Sequence, residues 1–528
     1  MAPNDQLGTG LLSAFRQVVR NALQSATQLS LEINVALPAP ATTSPHQTGA
    51  TVELPAALAQ EAIDAVVEVV AGHARALGVP ARPLVSVRRA AVPYRVPRVH
   101  VAGRRVRVRS TELDAALATG DPPAGAHPGE DPVTLAAMAC QVAIENDPSI
   151  LLGPQQSEVL IAQARSAGLE PADDMLGAML RRVIAHGYGL ANLTALRDPL
   201  NEQTGLAQTV GELAEVAMDA LGGPSLEIRL SEPTLRTATL SETRQDSFVM
   251  MRQRLFRDLG LTYPDIAIVI DPQVPERAAV VRLNQVRYAP RPLRGPGVLP
   301  IVALLEHQLR SHPSWFISLT EVRRTIDELR LALPDLVAAV LERYGESQLS
   351  LFARTFAQER MPVRNAARLM VLLLDAQPPS SGHDVVRLAQ PSRVAGQRAH
   401  RPGPHRLVSY TRQQMNEEAA RARPGLTTVT HTRLPADLDA ALEIVQLTDT
   451  GVDEVPSVAD LDRLIDVAER LLEEAPVDGE GPTLVTATQH SRSVASRLLA
   501  RQYPEIAVIA AEEYPPTNRL APPDGRKG

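Results

Sequence analysis

The chain spells Ser-Leu-Glu-Ile twice, at residues 30–33 and 225–228, and similar landmarks follow each copy in the same order. Leu and Ile alternate with Ser and Glu in both, which suits a strand with one buried face. A helical pattern comes next and stops at Leu77-Gly78 in the first copy and Leu259-Gly260 in the second. Glycine just past the last periodic residue is a helix stop, because it takes a left-handed conformation without steric cost. Extended segments follow, and the first copy predicts a hairpin turning at Ala102-Gly103. Helices at 135–146 and 299–310 then end at Asn146-Asp147-Pro148-Ser149 and Ser311-His312-Pro313-Ser314. Proline disfavours helix in the residue before it, so both stops have one cause. Further on, Asn192 matches Asn365. The spacing between partners drifts, as loops of unequal length make it, but their order does not. This pattern predicts a diverged tandem duplication of a unit of roughly 160 to 190 residues.

The expected fold class is α+β and multidomain: a duplicated module of strands and helices, then a C-terminal α/β subdomain. The boundaries read along the chain are an amphipathic N-terminal helix within 1–28, a first module over 29–222 and a second over 223–376. A Pro/Ser/Gly/Arg-rich linker over 377–405, the C-terminal subdomain over 406–520 and a tail over 521–528 complete the division. In the C-terminal region helices are expected at 408–421, 436–447 and 459–474, with a strand at 427–431. Its close reads strand–helix–strand, "TLVTAT", "SRSVASRLLARQY", "IAVIAA", with apolar strands of the kind found in a parallel pair covered on both faces.

The formal net charge is −7, the reverse of the basic field that general nucleic-acid binding needs. Cys140 is the single cysteine, so no disulfide framework can form within a monomer, and it reads as a small core residue in "LAAMACQVAI". No window reaches the roughly 18 consecutive apolar residues of a transmembrane helix, and the N-terminus lacks a signal-peptide pattern. The expectation is a cytoplasmic protein that meets a membrane only through a partner.

No phosphate-binding glycine loop follows any strand; "TATQHS" at 486–491 has no glycine where one is needed. Histidines such as His307 and His312 lack metal-ligand spacing, and no C-x-x-C or H-E-x-x-H occurs. His490 beside Ser491 and Ser493 lacks the nucleophile elbow that exposes a catalytic serine, so Ser/His capping of a helix start is the stronger reading. No enzyme, cofactor or metal site is expected. Two binding candidates remain. Arg104, Arg105, Arg107 and Arg109 alternate with valine; a solvated strand face is the plain reading, a patch for an acidic partner the sharper one. Trp315-Phe316, the one adjacent pair of large aromatics, reads as a core plug or as an interface anchor.

The segments "MMRQRLFRDLGL", "FISLTEVRRTIDEL", "LSLFARTFAQERMPVRNAARLMVLLLDA" and "GPTLVTATQHSRSVASRLLARQYPEIAVIAAEEYPP" resemble, in order, the cytoplasmic domain of the FHIPEP family of flagellar and type III secretion export-gate proteins. The resemblance covers about residues 226–520. Its more specific parts are Glu359-Arg360-Met361-Pro362-Val363-Arg364-Asn365 and the closing strand–helix–strand. It implies a protein-binding platform, ring-forming and of export type, whose partners are export clients or apparatus components. Family members carry a transmembrane half and a small inserted subdomain that helps receive chaperones, and this sequence matches neither. A soluble scaffold with no transport role is the alternative.

Overall fold

A computed structural model describes residues 31–36, 56–79, 84–89, 98–101, 104–106, 132–203, 209–240, 246–359, 361–376, 407–415, 431–445, 447–448, 451–452, 457–474, 482–499, 503 and 506–511. The expected N-terminal helix, the linker and the tail lie outside these residues, as do Arg107 and Arg109. The chain begins with β1 (Leu31–Ala36), α1 (Ala56–Leu77), β2 (Leu84–Arg89), β3 (Arg98–Val101), β4 (Arg104–Val106) and α2 (Pro132–Asn146). A 3-10 turn at Pro148–Leu151 leads to α3 (Pro154–Ser166), α4 (Asp173–Ala185), α5 (Arg197–Gln203) and α6 (Val210–Ala220). Next come β5 (Leu226–Leu230), α7 (Glu232–Leu240), α8 (Asp246–Leu259), β6 (Ile266–Ile270), β7 (Ala278–Leu283), β8 (Val286–Arg287), β9 (Arg291–Pro292) and α9 (Leu299–Ser311). A second 3-10 turn at Pro313–Phe316 precedes α10 (Leu319–Ala332), α11 (Pro334–Arg343), α12 (Glu346–Gln358) and α13 (Ala366–Asp375). Residues 407–415 form α14. The rest is β10 (His431–Arg433), α15 (Ala436–Glu443), β11 (Leu447–Thr448), β12 (Gly451–Val452), α16 (Val458–Glu474), β13 (Thr483–Thr486), α17 (Gln489–Leu499) and β14 (Ala507–Ala510). The architecture is α+β, as the sequence predicts.

Two compact units interleave along the chain: residues 1–206, 224–248 and 264–308 form one, and residues 207–223, 249–263 and 309–528 the other. The first unit holds two sheets. One has the order β2-β1-β3-β4, and its β3–β4 hairpin pairs Val101 with Arg104 across the expected turn. The other has the order β6-β5-β7-β8. Both Leu-Glu-Ile segments therefore lie on a strand that is flanked on both sides. The directions of the flanking strands differ: β2 runs antiparallel to β1 and β3 parallel, whereas β6 runs parallel to β5 and β7 antiparallel. On β5 the period-2 pattern is visible directly: Leu226, Ile228 and Leu230 are buried while Glu227 and Arg229 are half-buried. Their polar side carries ion pairs, Arg229 to Glu227 at 2.5 Å and to Asp271 at 3.3 Å. The helix stops fall where the sequence places them. Gly78 is left-handed at φ +67°, and the Leu77 carbonyl just before it accepts the Leu190 N–H at 2.9 Å. After Asn146, Asp147 caps the 3-10 turn by accepting from the Ser149 amide at 3.3 Å.

In the second unit, α6 opens with a capping box in which Thr209 and Glu212 satisfy each other's backbone N–H groups. Helices α10 to α14 bury one cluster that includes Ile326, Val340, Tyr344, Phe352, Phe356 and Leu373. Within it Arg354 of α12 and Glu215 of α6 form an ion pair at 2.6 Å, both side chains fully buried. The C-terminal part of this unit has the sheet order β10-β13-β14, all parallel, with every β13 residue buried, which bears out its apolar-run reading. Its helices pack Leu438, Leu464, Ala468 and Val494 against that sheet. Residues 416–421 of the expected 408–421 helix, and 427–430 of the expected strand, lie outside the described residues.

Candidate functional site

The segment Glu359–Asn365 is short, and Glu359, Val363, Arg364 and Asn365 each make a separate hydrogen bond. It begins where α12 ends. Leu349, Phe352 and Phe356 sit at helical spacing on one buried face of α12. Glu359 then turns inward, only 4% exposed. Its carboxylate accepts from Arg492 Nη1 at 2.6 Å and from Ser493 Oγ at 3.3 Å. Arg412 adds a donor to the Glu359 carbonyl at 3.3 Å and reaches the Val508 carbonyl at 3.1 Å. The segment is thereby tied to α17 and β14. Beyond Pro362, the Val363 amide donates to the Leu259 carbonyl at 2.9 Å. Asn365 accepts from the Arg368 amide at 3.0 Å and so caps α13. Gly260 makes the close approach to α8 feasible. It is left-handed at φ +72°, and a Cβ there would lie 2.0 Å from the Arg364 backbone nitrogen.

Between α8, α10, α12 and α13 lies an open-mouthed cavity of about 350 Å³. Phe256, Phe316, Phe352 and Phe356 line it. The whole chain has six phenylalanines, so most of this scarce side chain converges on one recess. The inner wall is closed, with Ile326, Phe352 and Phe356 each 1% exposed. The rim is charged. Arg324 pairs with Glu321 at 2.5 Å and with Glu328 at 2.5 Å. The Arg324 hydrogen bond holds the Glu321 carboxyl below its ordinary value, with a bond from Thr262 Oγ1 at 2.6 Å assisting and partial burial opposing. Arg364 also lines the cavity. It donates to the Arg257 carbonyl at 3.0 Å and meets no carboxylate among the described residues.

The residues singled out in the sequence belong to both units. Arg104 and Arg105 lie on β4, the last strand of its sheet, and Arg107 and Arg109 fall outside the described residues. Trp315 and Phe316 are 1% and 3% exposed. Trp315 packs on His312 at 4.5 Å between ring centroids and Phe316 on Tyr263 at 4.9 Å. Both side chains are packed in the interior of the second unit, and Phe316 also reaches the cavity wall. Cys140 is fully buried, which pushes its thiol up to about 12. The helix cap at "TATQHS" is Thr488, whose hydroxyl accepts from the Ser491 amide at 3.1 Å. Ser491 is itself buried, and His490 Nε2 donates to the Val445 carbonyl at 2.7 Å. No group of metal-ligating side chains occurs among the described residues. Sequence reasoning missed Phe256, Phe352, Phe356 and the rim role of Arg364. The available signal was the scarcity of phenylalanine together with the Phe352–Phe356 spacing of four on one helix.

No family model and no curated protein matches the chain. Among solved structures, a chain of the Chlamydia pneumoniae CdsV and CdsO protein complex is similar at 17% identity and a TM-score of 0.45, covering 56% of this chain and 96% of that one. The Shigella flexneri MxiA protein is similar at 16% identity and TM-score 0.41, over 55% and 95% of the two chains. The nonameric EPEC SctV-C assembly gives 14% identity and TM-score 0.38, over 56% and 96%.

Proposed function

We propose that this protein is a non-enzymatic, protein-binding assembly component of the type III export kind, recognising export clients or apparatus proteins beside a membrane partner. The observation that carries this reading is exposed apolar surface on the second unit. On α8, Val249, Met250 and Phe256 are about half exposed, and at the α10–α11 corner Leu331 is 89% exposed with Leu333 beside it at 41%. Side chains of this size gathered at the surface mark sites where another protein removes them from water. The FHIPEP resemblance of residues 226–520 supports the export setting. No helix among the described residues is long and apolar enough to cross a membrane, so a membrane partner is part of the proposal. The sharing of one strand order and matched helix stops by the two modules supports the reading that they are a duplicated pair.

Self-association is the most accessible consequence. Light scattering over a concentration series is expected to show a monomer–oligomer equilibrium that Leu331→Asp shifts to monomer. A strict monomer at high concentration overturns it. Crosslinking with mass spectrometry in the native host tests the export setting. Crosslinks confined to this chain and to proteins with no role in secretion would refute export and leave the soluble scaffold.

A further inference from the structure

The phenylalanine-lined cavity shares only Phe256 with the exposed residues that carry the assembly reading, and its chemistry points to a small ligand. Its volume of about 350 Å³ lies at the lower end of small-molecule sites, which run from about 300 to 1,000 Å³. Protein interiors close-pack, so a recess this large between four helices is unusual unless something fills it. Its walls offer aromatic and aliphatic carbon, with Val322, Leu369 and Met370 completing the surface between the phenylalanines. Apart from Thr262 and Thr325, the uncharged lining is mostly carbon, which favours hydrocarbon for the buried part of a ligand.

The rim decides the head group. Glu321 and Glu328 share Arg324, so both rim carboxylates already hold a guanidinium. Arg364 is different: it is exposed, spends one N–H on a backbone carbonyl and has no carboxylate partner among the described residues. A guanidinium presents a planar fork of donors matched to a carboxylate. At Arg364 a cationic head would meet a like charge, with the rim carboxylates already held by Arg324, and a neutral head would leave the fork as it is. We propose that the cavity binds a small anionic amphiphile, an unbranched aliphatic chain ending in a carboxylate, with the chain against Phe256 above the wall closed by Phe352 and Phe356 and the carboxylate on Arg364.

The test uses the full chain and three ten-carbon probes: decanoate, decanol and decyltrimethylammonium, titrated by calorimetry below their micelle concentrations. Decanoate is expected to bind saturably at one site, about tenfold more tightly than decanol, the factor that corresponds to 1.4 kcal/mol. Arg364→Ala should erase that difference while leaving decanol affinity unchanged. Ala353→Trp, a substitution on the half-buried wall of α12, should abolish binding of both. Should Ala353→Trp fail to fold by thermal unfolding, Phe256→Glu replaces it: Phe256 is 48% exposed at the mouth, and a carboxylate there should repel decanoate and spare the fold. Equal affinity for decanoate and decanol in the natural sequence, preference for the ammonium, or decanoate binding that survives filling the wall each overturns the proposal. None of these results depends on oligomer formation, so failure here and failure of the assembly reading are separately visible.

Discussion

Arg354→Met should be among the most damaging single substitutions in the second unit. The arginine lies in α12 with no exposure, and all three of its nitrogens donate hydrogen bonds. Nε donates to Glu215 Oε1 at 2.6 Å and Nη2 to Oε2 at 2.9 Å, while Ser350 Oγ adds a third bond to the same carboxylate at 2.7 Å. Nη1 and Nη2 also reach the carbonyls of Ser314 and Ile317, both at 2.5 Å. Methionine fills much of the same volume but donates nothing. It strands a buried carboxylate and two carbonyls that frame the 3-10 turn. Removing one partner of a buried pair costs about 3–5 kcal/mol, which is a change of two to nearly four powers of ten in the unfolding constant. The chain supplies its own probe: Trp315, the only tryptophan, sits between those two carbonyls in sequence and is buried in the same unit. Urea unfolding followed by its fluorescence should show a midpoint well below that of the natural protein. Glu215→Leu combined with Arg354→Met should recover more than half of the loss, because no orphaned charge then remains. A loss below about 1 kcal/mol, the level of an exposed pair, would refute a sealed, dry ion pair.

Gly260→Ala should destabilise more than Gly222→Ala. Both glycines are left-handed, which costs alanine about 1–2 kcal/mol, but only Gly260 has a neighbour, the Arg364 backbone, where the new Cβ must go, whereas Gly222 faces open space. Equal losses in the Trp315-monitored transition would remove the close approach from the account. Cys140, with its pKa raised by burial from 9.0 to about 12, should resist a thiol reagent in the folded state at pH 8 and react on unfolding. Because the folded value is the higher one, the stabilisation from the neutral thiol is complete below pH 9 and falls as pH rises toward 12; Cys140→Ala should flatten that alkaline loss, as pH-dependent melting will show. Asn365→Ala should cost about 1 kcal/mol through the lost α13 cap, read by the same fluorescence transition.

What could be read from the sequence was what is decided locally. Gly78 and Gly260 end helices because only glycine takes their φ cheaply, and Pro148 and Pro313 restrict the residue before them whatever the tertiary setting. The buried strand Thr483–Thr486 announced itself as an apolar run. Long-range decisions were not legible. Arg354 looks like any polar residue on a helix until α6, far earlier in the chain, supplies Glu215. Glu359 likewise finds Arg492 only after the C-terminal subdomain has folded. The directions of β2 and β6 relative to their neighbours depend on how the connections return, which no residue pattern encodes. Trp315-Phe316 had two readings because aromatic pairs serve cores and interfaces equally well, and burial alone separates them.

The stretches around Gly78 and Gly260 share a backbone contact, and the place where they part is informative. In one, the carbonyl before Gly78 accepts from the Leu190 amide; in the other, the carbonyl before Gly260 accepts from the Val363 amide, at the same 2.9 Å. Each acceptor precedes a left-handed glycine, and each donor lies two residues before the matched asparagine, Asn192 or Asn365. In both, the glycine's missing Cβ leaves room for the residue after the donor: Ala191 nitrogen would be 2.7 Å away, Arg364 nitrogen 2.0 Å. Helices α4 and α12, which precede these donors, are each 13 residues long, and each carries an arginine at its ninth position, Arg181 and Arg354. Arg181 is only half-buried; desolvation lowers its pKa while Asp147 opposes the shift, and it meets the Ser157 hydroxyl at 3.4 Å. Arg354 is sealed against Glu215. One backbone arrangement thus occurs in both places, and the side chains placed on it differ: alanine follows the donor at Leu190, a guanidinium the donor at Val363. The cation at the mouth of the phenylalanine cavity is therefore not something the arrangement requires. An arrangement that works with Ala191 leaves the residue at 364 free to be chosen for what enters the cavity.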